Sequence, residues 1–333
     1  MENLISVIVC TYNQERTIAR TLDSILMQQC HVPFEIIIGE DCSTDNTLSI
    51  CREYANRDSK IRLIANTENK GLAGNYFDCI LSAKGNYIAD CAGDDFWTDP
   101  QKLEKEVTIL EKHPDVTLVH TNWYTYDEDT QTQMASGAKP FTDDFTDGKQ
   151  MLESIIIQTS VPVIHLCTSL YRTDIIRKAL QEDDYLFRNK EFGCEDVQVA
   201  FTMALQGKIA YIPDCTLNYS QSGETISNSK DERKQFRFVR RVTDLSYYLA
   251  RKYGLDSAAV KDYFRYRIFA LGMHAFRAHD RDLFLETLEC EKKWNTQRTQ
   301  ITSCLFVVMR RRWLWNIGLL GRGMFVTLKR VFR

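Results

Sequence analysis

The 333-residue chain holds 11 cysteines yet contains no CxxC pair. That spacing excludes the usual zinc ribbon, and thiols such as Cys10, Cys51 and Cys79 sit inside apolar patterns, where they are expected to be reduced and buried. A long hydrophobic run is missing too. The longest uncharged apolar stretches, 301–309 and 313–321, fall far short of the ~20 residues that cross a bilayer. Charge of one sign is also scarce: the formal net charge is −3 and the pI about 6.1, which argues against a nucleic-acid partner. The start, MENLISVIVCTYN, has neither a basic n-region nor a small-residue cleavage site, so a signal peptide is not expected and the expected location is cytoplasmic. Internal repeats and low-complexity segments are lacking.

What is present is a large apolar fraction, 44%, enough for a sizeable core. The first half alternates between two patterns. SVIVC (6–10), FEIIIG (34–39), IRLIA (61–65) and NYIAD (86–90) are apolar runs suited to buried strands. Between them, Ile18, Leu22, Ile25 and Leu26 repeat at helical spacing, as do Leu48, Cys51 and Tyr54, and a further helix is expected over 74–83. Ser43 or Thr44 is expected to cap the second helix. Such alternation predicts βαβ units, hence a mainly parallel sheet covered on both faces. Further strands are expected over 116–126, 168–172 (a candidate antiparallel strand) and 208–212, with 127–150 a loop holding a short hairpin. After about 225 the pattern turns helical over 230–253, 257–279 and 281–296. The predicted organisation is thus 1–225, an α/β domain; 226–300, a helical extension; and 301–333, a basic amphipathic tail.

In an open α/β sheet, ligands bind beyond the carboxyl ends of the strands. Four polar clusters fall there: Thr11-Tyr12-Asn13, Glu40-Asp41-Cys42-Ser43-Thr44-Asp45, Asn69-Lys70-Gly71 and Gly93-Asp94-Asp95. A polar turn after one strand is ordinary. Four on one edge point to a site. The adjacent carboxylates Asp94 and Asp95 disfavour each other's ionisation unless a cation, solvent or a shared proton relieves them.

The wording of these clusters resembles the family 2 glycosyltransferases, inverting enzymes with the GT-A fold that use nucleotide sugars. The resemblance rests on five ordered motifs across residues 4–228: SVIVCTYNQERTIARTLDSIL, EIIIGEDCSTDNT, NKGLAGN, GDDFWTDPQKL and GCEDVQVAFTMALQGKIAYIP. It implies Asp95 as ligand of a divalent metal, Mn²⁺ or Mg²⁺, with Asp94 on the donor ribose or assisting the ion. It implies Asp41 on the nucleobase edge, Thr11, Tyr12 and Asn13 along the base pocket, Lys70 near the donor phosphates, and Asp196 of the Glu195-Asp196 pair as general base. The donor implied is a nucleotide sugar, most readily a UDP-sugar, and the acceptor a saccharide or a lipid-linked sugar in cell-surface polysaccharide synthesis. Two positions depart from the pattern. Ala92 stands where many relatives carry an acid, and Ser222 where many carry a histidine, so metal dependence is less secure than transfer. A nucleotidyltransferase and a non-catalytic nucleotide-sugar-binding domain are the alternatives. The tail 301–333 has seven basic residues and no acid, a composition suited to lying on an anionic membrane surface; a terminal helix docked on the protein is the competing expectation.

Overall fold

The computed structural model describes residues 3–136, 144–158, 164–221, 229–311 and 314–316, and divides into two compact units, 1–223 and 224–333. In chain order the first unit contains β1 (Ile5–Thr11), α1 (Ile18–Leu26), β2 (Phe34–Glu40), α2 (Thr47–Arg57), β3 (Ile61–Ala65), α3 (Leu72–Ser82), β4 (Tyr87–Asp90), β5 (Phe96–Trp97), α4 (Lys102–Lys112), β6 (Val116–Asp127), β7 (Thr132–Ala135), β8 (Phe145–Asp147), α5 (Leu152–Ile157), β9 (Ser169–Arg172), α6 (Thr173–Glu182), α7 (Asp184–Arg188), α8 (Glu195–Gln206) and β10 (Lys208–Gln221). The second contains α9 (Glu232–Tyr253), α10 (Ala258–Ala278), α11 (Arg281–Lys293) and α12 (Gln300–Arg310).

One sheet runs through the first unit in the order β3-β2-β1-β4-β9-β6-β10-β5, with β7 on β6 and β8 on β10. Strands β3, β2, β1 and β4 are parallel, as the βαβ pattern predicts, and so are β6 and β10. Strand β9 lies antiparallel between β4 and β6, and β7 forms the expected hairpin with β6. The central strands are buried on both faces, with Val7, Val9, Ile36, Ile38 and Ala89 on one face and Ile8, Ile37 and Ile88 on the other essentially inaccessible, which is why their sequences are apolar runs rather than alternating ones.

Two local expectations differ. Ser43 and Thr44 do not cap α2: Asp45 Oδ1 accepts from Thr47 N at 3.0 Å, and Ser43 Oγ accepts from Asn13 N at 2.9 Å instead. A carboxylate two residues from the helix start satisfies the free N–H groups, which releases the hydroxyl for the neighbouring loop. Strand β10 runs to residue 221 rather than 212, through irregularities between Ile212 and Leu217 that keep it paired with β6.

In the second unit, Phe236, Tyr263 and Phe276 are buried, while Tyr247 and Phe269 are partly covered. Helix α12 buries Thr302, Phe306 and Met309, and Trp315 lies against Phe276 and His279, its indole N–H donating to Phe276 O at 3.0 Å. The described start of the tail is therefore a docked helix, with Arg310 and Arg311 in water. Among the described residues no helix is long and apolar enough to cross a membrane.

Candidate active site

Strand order brings the ends of β1, β2, β3 and β4 to one edge. Thr11 O accepts from Asp41 N (3.0 Å) and Cys10 O from Gly93 N (3.1 Å), so three of the four polar clusters are joined through backbone. Gly93 is needed for that approach, because a Cβ there would sit 2.4 Å from Gln14 Oε1 and 2.8 Å from Thr11 Oγ1.

The Asp94-Asp95 turn belongs to the last of these clusters and is a desolvated acidic pair. Asp95 is 1% exposed; its Oδ1 accepts from Ser220 N of β10 at 2.9 Å, whereas Oδ2 is buried with no nitrogen or oxygen partner, the other polar neighbour of the carboxyl being the Cys167 thiol. Burial, then the charge of Asp94, pushes the Asp95 carboxyl well above the ordinary carboxylate range. Burial also raises Asp94. A desolvated carboxylate oxygen left unpaired is costly, and either a proton or a cation relieves it. The donor set fits a hard cation: the turn offers carboxylate oxygens, and positions left by Ala92 suit water or phosphate oxygens. Ser222 lies outside the described residues.

Asp196 lies in the first turn of α8, and its charge is among the causes raising both Asp95 and Asp90. Burial pushes Asp196 itself up to about 6. Asp95 and Asp196 therefore share one electrostatic neighbourhood, although about a hundred residues separate them in sequence.

The remaining predicted residues divide into two groups. Tyr12 keeps a free ring face, at 46% exposure, and Thr11 is buried beside Gly93. The others are occupied by the scaffold. Asn13 Oδ1 accepts from Thr44 N at 2.8 Å, tying the β1 loop to the β2 loop. Asp41 accepts from Asn66 Nδ2 (3.0 Å), Lys70 N (2.9 Å) and Gly71 N (2.9 Å), so its carboxylate organises the loop before α3 and keeps one lone pair on Oδ2. The Lys70 ammonium is committed to Asp78 at 2.8 Å. Gly71 has φ +77° and ψ 161°, a conformation essentially restricted to glycine.

Two residues were missed in the sequence. Arg20 of α1 donates to Asp94 O (3.2 Å) and Ser220 Oγ (3.2 Å), pairs with Glu128, and stacks over Phe96 (4.1 Å to the centroid) and Tyr126 (5.4 Å). It therefore clamps the acidic turn to β6 and β10. Asp90 ends β4, almost fully buried; the Tyr76 and Tyr171 hydroxyls, 2.5 Å from each other, lie beside it, and burial pushes it up to about 8. An aspartate closing an otherwise apolar strand was the available signal for it.

The glycosyl transferase family 2 profile matches residues 6–180, more than half of the chain. The chain belongs to glycosyl transferase family 2. It is similar to the putative glycosyltransferase EpsE of Bacillus subtilis, 44% identical over 125 residues that cover 37% of this chain and 44% of that protein. It is also similar to an Escherichia coli enzyme, WfgD, described as a UDP-Glc:alpha-D-GlcNAc-diphosphoundecaprenol beta-1,3-glucosyltransferase, 32% identical over 120 residues covering 36% and 46%. The matched segment thus spans less than half the length of these relatives. Among solved structures, S. aureus TarS 1–349 in complex with UDP-GlcNAc superposes with TM-score 0.53 at 18% identity, over 89% of this chain and 93% of that one. Mannosyltransferase PcManGT from Pyrobaculum calidifontis, in complex with GDP-Man and Mn²⁺, gives 0.52 at 16%, over 95% and 86%. These two likenesses support the fold.

Proposed function

We propose that this family 2 glycosyltransferase moves a sugar from a nucleoside-diphosphate sugar, a UDP-sugar in the first instance, to an acceptor hydroxyl with inversion, in the building of cell-surface polysaccharide. One observation carries the reading: buried Asp95 has an oxygen with no nitrogen or oxygen partner in the same acidic neighbourhood as desolvated Asp196. Asp95, with Asp94, would hold a divalent cation, Mn²⁺ or Mg²⁺, and that cation supplies charge neutralisation at the leaving diphosphate. Asp196 accepts the acceptor's proton as its oxygen attacks the anomeric carbon, while the bond from that carbon to the phosphate oxygen breaks and the diphosphate leaves with the electron pair. Attack opposite to the leaving group inverts the centre. Tyr12 offers its exposed face to the nucleobase, with Thr11 and Asn13 lining the same loop and the remaining lone pair of Asp41 facing the base edge. Lys70 reaches the phosphates only if it exchanges Asp78 for them.

The UDP-linked donor and diphosphoundecaprenol acceptor in the name of WfgD support a UDP-sugar and a lipid-linked acceptor. A lipid-linked acceptor fits work at the cytoplasmic face of a membrane, with the part of the basic 301–333 tail beyond Trp315 as the attachment segment, since the helix before it is docked within the second unit. Binding of UDP-, GDP- and dTDP-sugars with and without Mn²⁺ tests the donor; failure of every one overturns the reading. Asp196→Asn separates the classes, since an enzyme keeps donor binding and loses transfer, whereas a binding domain has no turnover to lose. A nucleotidyltransferase would instead release pyrophosphate.

A further inference from the structure

At the opposite edge of the sheet, where β1 and β2 begin, the loop between α1 and β2 sets Cys30 and His31 beside Glu104 of α4. The Cys30 Sγ, a His31 ring nitrogen and a Glu104 carboxylate oxygen all lie within 4.8 Å of one another. His31 Nδ1 is 2.7 Å from Glu104 Oε2, and Nε2 is 3.1 Å from Glu111 Oε2. Glu111 is in turn held by Asn3 Nδ2, which donates to Oε1 at 2.9 Å.

We propose that Cys30, His31 and Glu104 form a binding site for a divalent transition-metal ion of the zinc class, with Glu111 orienting the imidazole. A ligating histidine characteristically gives its second ring N–H to a carboxylate, which fixes the tautomer. The 2.7 Å contact between Nδ1 and Glu104 needs a proton between the two atoms; an incoming metal displaces that proton, so that Nε2–H stays on Glu111 and the Nδ1 lone pair turns to the ion. The donor set is one sulfur, one nitrogen and one oxygen, which selects zinc or cobalt over the all-oxygen preference of magnesium and calcium. Bonds of about 2.0–2.3 Å put tetrahedral donors ~3.3–3.8 Å apart, so small side-chain rotations close the cluster on an ion. His31 is exposed, which leaves the fourth position to water. Bound metal would fasten the α1–β2 loop to α4 more firmly, adding to the hydrogen bonds from His31 N to Glu104 (3.0 Å) and from Leu103 N to Gln28 Oε1 (3.1 Å). The site is independent of the donor-binding edge, and the inference stands apart from the proposed transfer reaction.

Cobalt(II) titration of the chelator-stripped full chain tests it. The expected result is a sulfur-to-cobalt charge-transfer band that saturates at one equivalent of the cobalt that produces it, in the wild-type chain and in Asp95→Asn alike, and that zinc displaces. Cys30→Ser should abolish the band, His31→Ala should abolish or strongly weaken binding, and Glu111→Gln should weaken it about tenfold. Asp95→Asn should leave it unchanged. Zinc should raise the melting temperature of the wild-type chain and not that of Cys30→Ser, whose own melting curve shows that it is folded. A missing band, a band that survives Cys30→Ser, or one lost in Asp95→Asn overturns the proposal; the first outcome leaves His31 as a bridge between two glutamates.

Discussion

Two carboxylates and one guanidinium bear on the proposed transfer at the residue scale, and Asp196 is the base in that proposal. Asp196 must be ionised to take a proton, and burial places its titration near pH 6. The rate at low substrate should therefore rise as pH passes upward through about 6 and flatten above it; a pH–rate profile that is level from pH 5 to 8 would contradict the base assignment. Asp196→Asn should lower turnover by about 10²–10⁴ while UDP-sugar binding by calorimetry stays near wild type. Asp90 titrates near 8, far above an unfolded aspartate at about 4. Since its folded pKa is raised, the native state binds the extra proton, and stability falls as pH climbs from about 4 through 8. Asp90→Asn, which keeps the shape and cannot ionise, should raise the melting temperature at pH 8.5 and change it little at pH 4. Equal shifts at both values would show that charge is not the cause. Arg20→Lys keeps the charge but loses the planar fork and the stack on Phe96. The retained lysine charge still faces partly buried Glu128, so thermal stability should fall far less than donor binding does. Binding of UDP with Mn²⁺ should weaken about tenfold, equivalent to roughly 1.4 kcal/mol; unchanged binding would reduce Arg20 to a surface contact.

At the scale of elements, α4 shows how the acidic motif is supported from beneath. Lys102 and Glu106 are both inaccessible, paired at 2.7 Å one turn apart, with the ammonium 4.5 Å from the Trp97 ring centroid. Trp97 in turn donates its indole N–H to Cys167 O at 3.0 Å and stands two residues after Asp95. Burial pushes Glu106 up to about 7, opposed by the lysine charge. Desolvating two charges offsets most of their attraction, whereas stranding one is severe. Glu106→Ala should cost about 3–5 kcal/mol in urea unfolding, while Lys102→Met with Glu106→Leu should be neutral or stabilising. A double variant as unstable as the single one would assign the pair a structural role beyond charge. Helix α4 is legible in the sequence from its apolar stripe Leu103, Val107 and Leu110. Its buried ion pair is not, because lysine and glutamate four apart ordinarily signal an exposed helix face.

For the whole molecule, the two units 1–223 and 224–333 separate a sheet that bears the acidic edge from a helical bundle. The bundle claims the first part of the basic tail: Phe306 packs edge-on against Phe284, and Trp315 stacks on Phe276. A test of membrane attachment must therefore cut beyond Trp315. Removing 317–333, which carries Arg322, Lys329, Arg330 and Arg333 without an acid, should abolish flotation with anionic liposomes and leave the melting temperature unchanged. Flotation equal to that of the full chain would exclude this segment as the anchor.

Apolar runs and helical stripes determine, residue by residue, whether a segment can be a buried strand or a surface helix. The parallel half of the sheet and the four polar turns at its edge therefore followed from the sequence alone. So did the pair Asp94-Asp95, because adjacent carboxylates are conspicuous in any local window. Contacts across long stretches of chain were decided only in the folded molecule. Strand β9 enters antiparallel between β4 and β6, Ser220 takes one oxygen of Asp95 and leaves the other without a nitrogen or oxygen partner, and Arg20 reaches residues 128 and 220. Burial decided the rest: desolvation, which no sequence pattern records, sets Asp90 near 8 and Asp196 near 6 and so separates a carboxyl that holds its proton from one poised to accept it.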